Sequence, residues 1–214
     1  MSRTEHKFVP EPMDGFEAFG LERKNYALFL GRFSPEKNCH LLIEAFEQLE
    51  TPMQLVFAGG SSYTDDYVST LRKHESNQIR FLPWLSGPAL ECVLTGAALF
   101  VLPSEMEGMS LALLDAMAAG ICVLASNVPE NMELIAETGF TFRAGDVSDL
   151  REKLRLILSD ADLRERAGRR ARERVRQNYS WDTVTAEMVR VYETVMEKSH
   201  SIPIPQRSAI GKAA

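Results

Sequence analysis

Two stretches of this chain place charged side chains where they could act on a phosphorylated substrate. In Gly31-Arg32-Phe33-Ser34-Pro35-Glu36-Lys37-Asn38, a glycine is followed by a guanidinium at Arg32 and an ammonium at Lys37. Two cations so close can grip a diphosphate together, the planar guanidinium by paired hydrogen bonds and the ammonium as a point charge. Taken singly, each also fits a solvated surface position. The second stretch, Pro103-Ser104-Glu105-Met106-Glu107-Gly108-Met109-Ser110, runs into the apolar helical segment 111–119. Free amides at Met109, Ser110 and Leu111 would open that helix and attract phosphate. Gly108 would let a ligand approach closely. Glu107 could reach the ligand from the loop and Asp115 from the second helical turn, although the loop acids Glu105 and Glu107 also suit the helix dipole without any ligand.

These loops need a scaffold that brings them together. Apolar runs at residues 26–30, 54–58, 79–82, 99–102 and 121–125 read as strands, with a sixth at 139–142. Between the first two, Cys39, Leu42, Phe46 and Leu49 share a helical face. The strands are apolar almost throughout, as in VFA and LFVL, so both sheet faces are covered and the strands are parallel. The expected fold is α/β: a doubly wound, Rossmann-like parallel sheet with additional C-terminal helices at 150–158, 161–178 and 181–197. In such sheets ligands bind beyond the carboxyl ends of the strands, where both charged loops fall.

With 214 residues, 45% apolar and 25% charged, the chain suits one soluble domain. No apolar run approaches the roughly 20 residues of a membrane span. The opening MSRTEHKFVPEPMDG lacks the apolar core of a signal peptide, so a cytoplasmic location is expected. A net charge of −6 gives no general attraction for nucleic acid. Cys39, Cys92 and Cys122 are far apart and read as free thiols, while four scattered histidines give neither a zinc site nor a catalytic triad. Gly59-Gly60 lacks the third glycine of a dinucleotide fingerprint. Asp160-Ala161-Asp162 fits a capping box begun by Ser159 better than a metal site, so no metal is assigned. The arginine-rich helix at 164–176 reads as a solvated face.

In order along the chain, GRFSPEKN, AGG, RFLPWLSG, FVLPSEMEGMSLALLDAMAAG and VLASNVPENMELI resemble the retaining glycosyltransferases of family 4, whose architecture is called GT-B. The resemblance covers about residues 8 to 198. It is most specific in the acid pair Glu107 and Asp115, coupled to the upstream G-R-x-x-x-E-K segment. It implies that the substrate is a nucleoside diphosphate sugar, with Arg32 and Lys37 on the diphosphate, Glu107 near the sugar and Asp115 on the ribose. The amides of Met109 to Leu111 would complete the phosphate cradle, Gly31 and Gly108 would belong to the donor-binding set, and the backbone around Trp84 and Leu85 would flank the nucleobase. Neither a metal nor a cofactor is expected, because fixed cations and amides can stabilise the departing diphosphate.

Asp115 departs from the Glu usual in the family, and one methylene less alters its reach. The resemblance also implies an N-terminal acceptor-binding domain or subunit, which this chain lacks, and an acceptor such as a saccharide. Residues 1–20 are then linker-like, 21–198 form the nucleotide-sugar-binding domain and 199–214 form a disordered tail. The expected function is transfer of the sugar to that acceptor with retention. Two alternatives are a non-catalytic nucleotide-sugar-binding module acting by assembly, and a nucleotide-sugar epimerase or hydrolase.

Overall fold

A computed structural model of the protein describes residues 19–61 and 63–200, with side chains through residue 196. Most of the linker-like segment 1–20 and of the tail 199–214 therefore lies outside the described residues. The described residues form two compact units that divide after Val175.

The first unit carries six strands: β1 (Tyr26–Arg32), β2 (Gln54–Gly60), β3 (Ile79–Leu82), β4 (Leu99–Leu102), β5 (Cys122–Ser126) and β6 (Phe140–Phe142). They lie in the order β3-β2-β1-β4-β5-β6, and every pair is parallel. This is the expected doubly wound sheet, and its order reverses between β1 and β4, where an open α/β sheet has its crevice. The intervening helices are α1 (Cys39–Glu47), α2 (Asp65–Arg72), α3 (Gly87–Gly96), α4 (Leu111–Ala118), α5 (Pro129–Ile135) and α6 (Val147–Ser159), followed by α7 (Ala161–Asn178). In the second unit, α8 (Trp181–His200) is capped by Ser180, whose Oγ accepts from the Thr183 amide at 3.1 Å. Among the described residues no helix is long and apolar enough to cross a membrane.

The sheet is buried on both faces, which is why its strands are continuously apolar. Phe29, Phe57 and Phe81 come from three adjacent strands, and Phe57 stacks on Phe81 with ring centroids 5.0 Å apart. Phe33, the first residue beyond β1, is fully buried and meets Phe81 edge-on at 5.9 Å. Burying such a ring contributes about 1.5–3 kcal/mol, so Phe33 fastens the start of the cationic loop to the core.

Three expectations need correction. First, the strand expected at 26–30 is longer: β1 continues through Arg32, with Gly31 opposite Gly59 and Arg32 opposite Gly60. Gly59 has φ +148°, and a Cβ there would lie 1.9 Å from the Gly31 carbonyl oxygen, so the close approach of β1 and β2 requires glycine. Second, Asp160 rather than Ser159 caps α7, its carboxylate accepting from the Leu163 amide at 2.8 Å while Ser159 donates back to Leu156. Third, the arginine-rich helix is not a wholly solvated face. Arg164 donates to the Ile157 and Leu158 carbonyls at the end of α6, and Arg174 donates to those of Glu133 and Leu134 in α5. Cations there satisfy carbonyls that the helices leave unpaired.

Candidate functional site

Because β1 and β4 are neighbours, the two charged loops emerge side by side at the carboxyl edge of the sheet. Pro35–Lys37 form one 3-10 turn, begun by proline at its first position and ended by Asn38 in the left-handed region. The loops are then stitched together. The Glu105 amide donates to the Glu36 carbonyl at 2.9 Å, and Asn38 Nδ2 donates to the Pro103 carbonyl at 3.3 Å. Lys37 Nζ meets Glu107 Oε1 at 2.7 Å, with the two side chains only 16% and 7% exposed.

Buried residues hold the second loop from below. Ser126, the last residue of β5, donates its hydroxyl to the Ser104 carbonyl, and Asn131 of α5 donates to Ser126 Oγ at 3.1 Å. Ser104, Ser126 and Asn131 are fully buried. Sequence reasoning missed this support, although the serines at or just beyond the ends of two apolar runs, Ser104 and Ser126, with Asn131 in the helix that follows, were its visible signal.

The expected site residues differ in their surroundings. Arg32 is exposed, with no side-chain hydrogen bond or ion pair among the described residues, and is free to meet a ligand. Lys37 and Glu107 are paired with each other. Ser110 caps α4, its hydroxyl accepting from the Leu113 amide at 3.3 Å, so any anion contact from this residue comes through its backbone. Met109 and Leu111 are exposed at 61% and 65%, and nothing within 4 Å crowds Gly108. With the Leu113 amide taken by Ser110, the amides of Leu111 and Ala112 remain without an intrahelical acceptor at the start of α4.

Gly31, Trp84 and Leu85 line a cavity of about 240 Å³ together with Leu30, Gly59, Leu90 and Ala112. Asp115 lies outside it, in a larger cavity of about 480 Å³ that shares Leu90. Loss of hydration among its neighbours raises the Asp115 carboxyl above its ordinary range. The larger cavity also contains Glu91 and Arg172, which sequence reasoning missed. Glu91 had a signal: it is the one carboxylate in the otherwise apolar α3 segment GPALECVLTG. Among the described residues no group of three or more His, Cys, Asp or Glu side chains could hold a metal ion.

The chain is 30% identical to O-antigen chain mannosyltransferase B of Escherichia coli over 83% of its own length and 48% of that protein's. It is 32% identical to glycogen synthase of Mycobacterium tuberculosis, over 77% of this chain and 41% of the relative. The chain therefore spans less than half of either protein. Among solved structures, sucrose-phosphate synthase from Thermosynechococcus elongatus superimposes with a TM-score of 0.75 at 25% identity, over 82% of this chain and 46% of that one. The C-terminal domain of a glycosyl transferase group 1 family protein from Francisella tularensis shares the fold with a TM-score of 0.69 at 21% identity, over 81% of this chain and 97% of that one. The family model described as glycosyl transferases group 1 matches residues 16–174, and this chain belongs to that family.

Proposed function

We propose that the chain is the donor-binding part of a retaining glycosyltransferase of family 4, holding a nucleoside diphosphate sugar at the carboxyl edge of its sheet. The observation that supports this reading is the Lys37–Glu107 contact, which joins the loop that follows Arg32 to the loop that leads into α4. Arg32 and the amides bind the diphosphate, and Lys37, which has three protons, shares its charge between Glu107 and a phosphate oxygen. As the bond from sugar to phosphate breaks, negative charge grows on the departing diphosphate. Fixed donors stabilise that charge without reorganising. Glu107 faces the sugar, and Asp115 takes the ribose hydroxyls.

The acceptor, a saccharide or another hydroxyl compound, is brought by an N-terminal domain or subunit, in keeping with a chain that spans less than half of the E. coli mannosyltransferase. Residues 21–198 constitute the donor part. A cytoplasmic place of action belongs to the same reading.

Calorimetric titration of the purified chain with UDP, GDP and ADP, repeated in EDTA, tests the reading. Saturable binding that survives EDTA is expected. Failure of all three to bind would sink the donor site.

A further inference from the structure

The loop that carries Glu107 is anchored through one peptide group. The Ser104 carbonyl accepts from the Ser126 hydroxyl, and across the same peptide bond the Glu105 amide donates to the Glu36 carbonyl at 2.9 Å. A peptide group is planar, so a hydrogen bond at each end fixes its plane. Two residues later Glu107 meets Lys37. This peptide therefore joins three segments: the cationic loop through Glu36, strand β5 through Ser126, and the loop that leads into α4.

Asn131 determines where the Ser126 proton points. Its Nδ2 carries two protons and donates both to the Ser126 carbonyl, at 3.2 Å, and to Ser126 Oγ, at 3.1 Å. The hydroxyl oxygen accepts in that contact, so its single proton is left for the Ser104 carbonyl. Ser104, Ser126 and Asn131 are all fully buried, away from competing water. The cluster is nonetheless incomplete, because Ser104 Oγ and Asn131 Oδ1 are buried without a hydrogen-bond partner among the described residues. Each unpaired atom costs stability, and apolar side chains of similar size would remove that cost. Polar groups kept at the expense of folding point to a role in what they place above them.

We propose that Ser126 and Asn131 are positioning residues for the donor, acting through the Ser104–Glu105 peptide to hold Glu107 and the opening amides of α4 in place for the diphosphate. The inference rests on the donor-site reading above. Neither side chain touches the ligand, since both are fully buried, and each acts only through the loop. Without the Ser126 hydroxyl the Ser104 carbonyl is free to turn, and Lys37 alone must hold the residues beyond it. Without the Asn131 amide the Ser126 hydroxyl is free to rotate away from that carbonyl. In either case the loop must be ordered by the ligand, which weakens binding. The nucleobase is held elsewhere, beside Trp84 and Leu85, so the loss falls on the diphosphate.

Calorimetric titration of the intact chain in EDTA with UDP, GDP and ADP and with the matching monophosphates decides the matter, for the wild type, Ser126→Ala, Asn131→Leu and Ser126→Thr, each below its melting temperature. The wild type is expected to prefer a diphosphate. Ser126→Ala and Asn131→Leu should each lower that diphosphate's affinity about fivefold or more, the loss of roughly one hydrogen bond, and change that of the monophosphate by less than about twofold. Ser126→Thr, which keeps the hydroxyl, should bind as the wild type does. A diphosphate preference retained in Ser126→Ala or Asn131→Leu, or lost equally in Ser126→Thr, overturns the positioning role and leaves the donor site standing. Either of the first two variants decides alone if the other does not fold, and failure of both to fold makes the cluster structural and overturns the role as well. A wild type that binds none of these nucleotides overturns both readings.

Discussion

Lys37 and Glu107 are 70 residues apart in sequence, yet their side chains meet at 2.7 Å where the loops after β1 and β4 cross. The contact joins the cation assigned to the diphosphate to the acid assigned to the sugar. Both are largely shielded, so each depends on the other more than an exposed pair would.

Removing one partner should therefore cost stability. Lys37→Met strands a shielded carboxylate, and Glu107→Gln leaves a shielded ammonium with a weaker partner, each by about 1–3 kcal/mol in urea unfolding. The double variant should cost less than the sum of the single ones, and strict additivity would mean that the pair is not coupled.

Arg32 should behave differently. Because Arg32 is exposed and has no side-chain partner among the described residues, Arg32→Ala is expected to shift stability by less than about 0.5 kcal/mol. It should nevertheless weaken nucleoside diphosphate binding by on the order of 1.5–3 kcal/mol, the contribution of a charged hydrogen bond. A large loss of stability with unchanged affinity would make Arg32 structural.

Gly59→Ala tests the packing of β1 against β2 beneath the site. A Cβ there meets backbone at 1.9 Å, and φ of +148° is unfavourable to any side chain. A loss of at least about 2 kcal/mol is expected from thermal or urea unfolding. A neutral effect would show that the strands lie farther apart.

Asp115 makes a pH prediction. Its carboxyl is raised in the folded chain, so between its ordinary value of 3.8 and the higher folded value the folded state binds more protons than the unfolded one. Stability therefore falls as pH rises through that interval. Melting temperatures of the wild type relative to Asp115→Asn should decline with rising pH above about 4, whereas a constant difference would mean that the carboxyl is not shifted.

The sheet was legible because burial on both faces leaves no polar alternation, so runs such as LFVL announced parallel strands. Loop placement followed from the rule for open sheets, and the resemblance supplied the roles. What the sequence hid was pairing. Nothing local joins Lys37 to Glu107, because their contact exists only once β1 and β4 are neighbours. The capping arginines Arg164 and Arg174 were obscured by the exposed arginines around them. Arg172 reaches the Asp115 cavity from a helix distant in the chain, and only tertiary structure could reveal it.

The central claim is that Arg32, Lys37 and the opening amides of α4 hold a diphosphate. Its most direct test compares binding of a nucleoside diphosphate with that of the matching monophosphate, in the wild type and in Arg32→Ala. The account predicts tighter binding of the diphosphate in the wild type and loss of most of that advantage in the variant. Equal affinity for the two nucleotides, or an advantage that Arg32→Ala leaves intact, would contradict it.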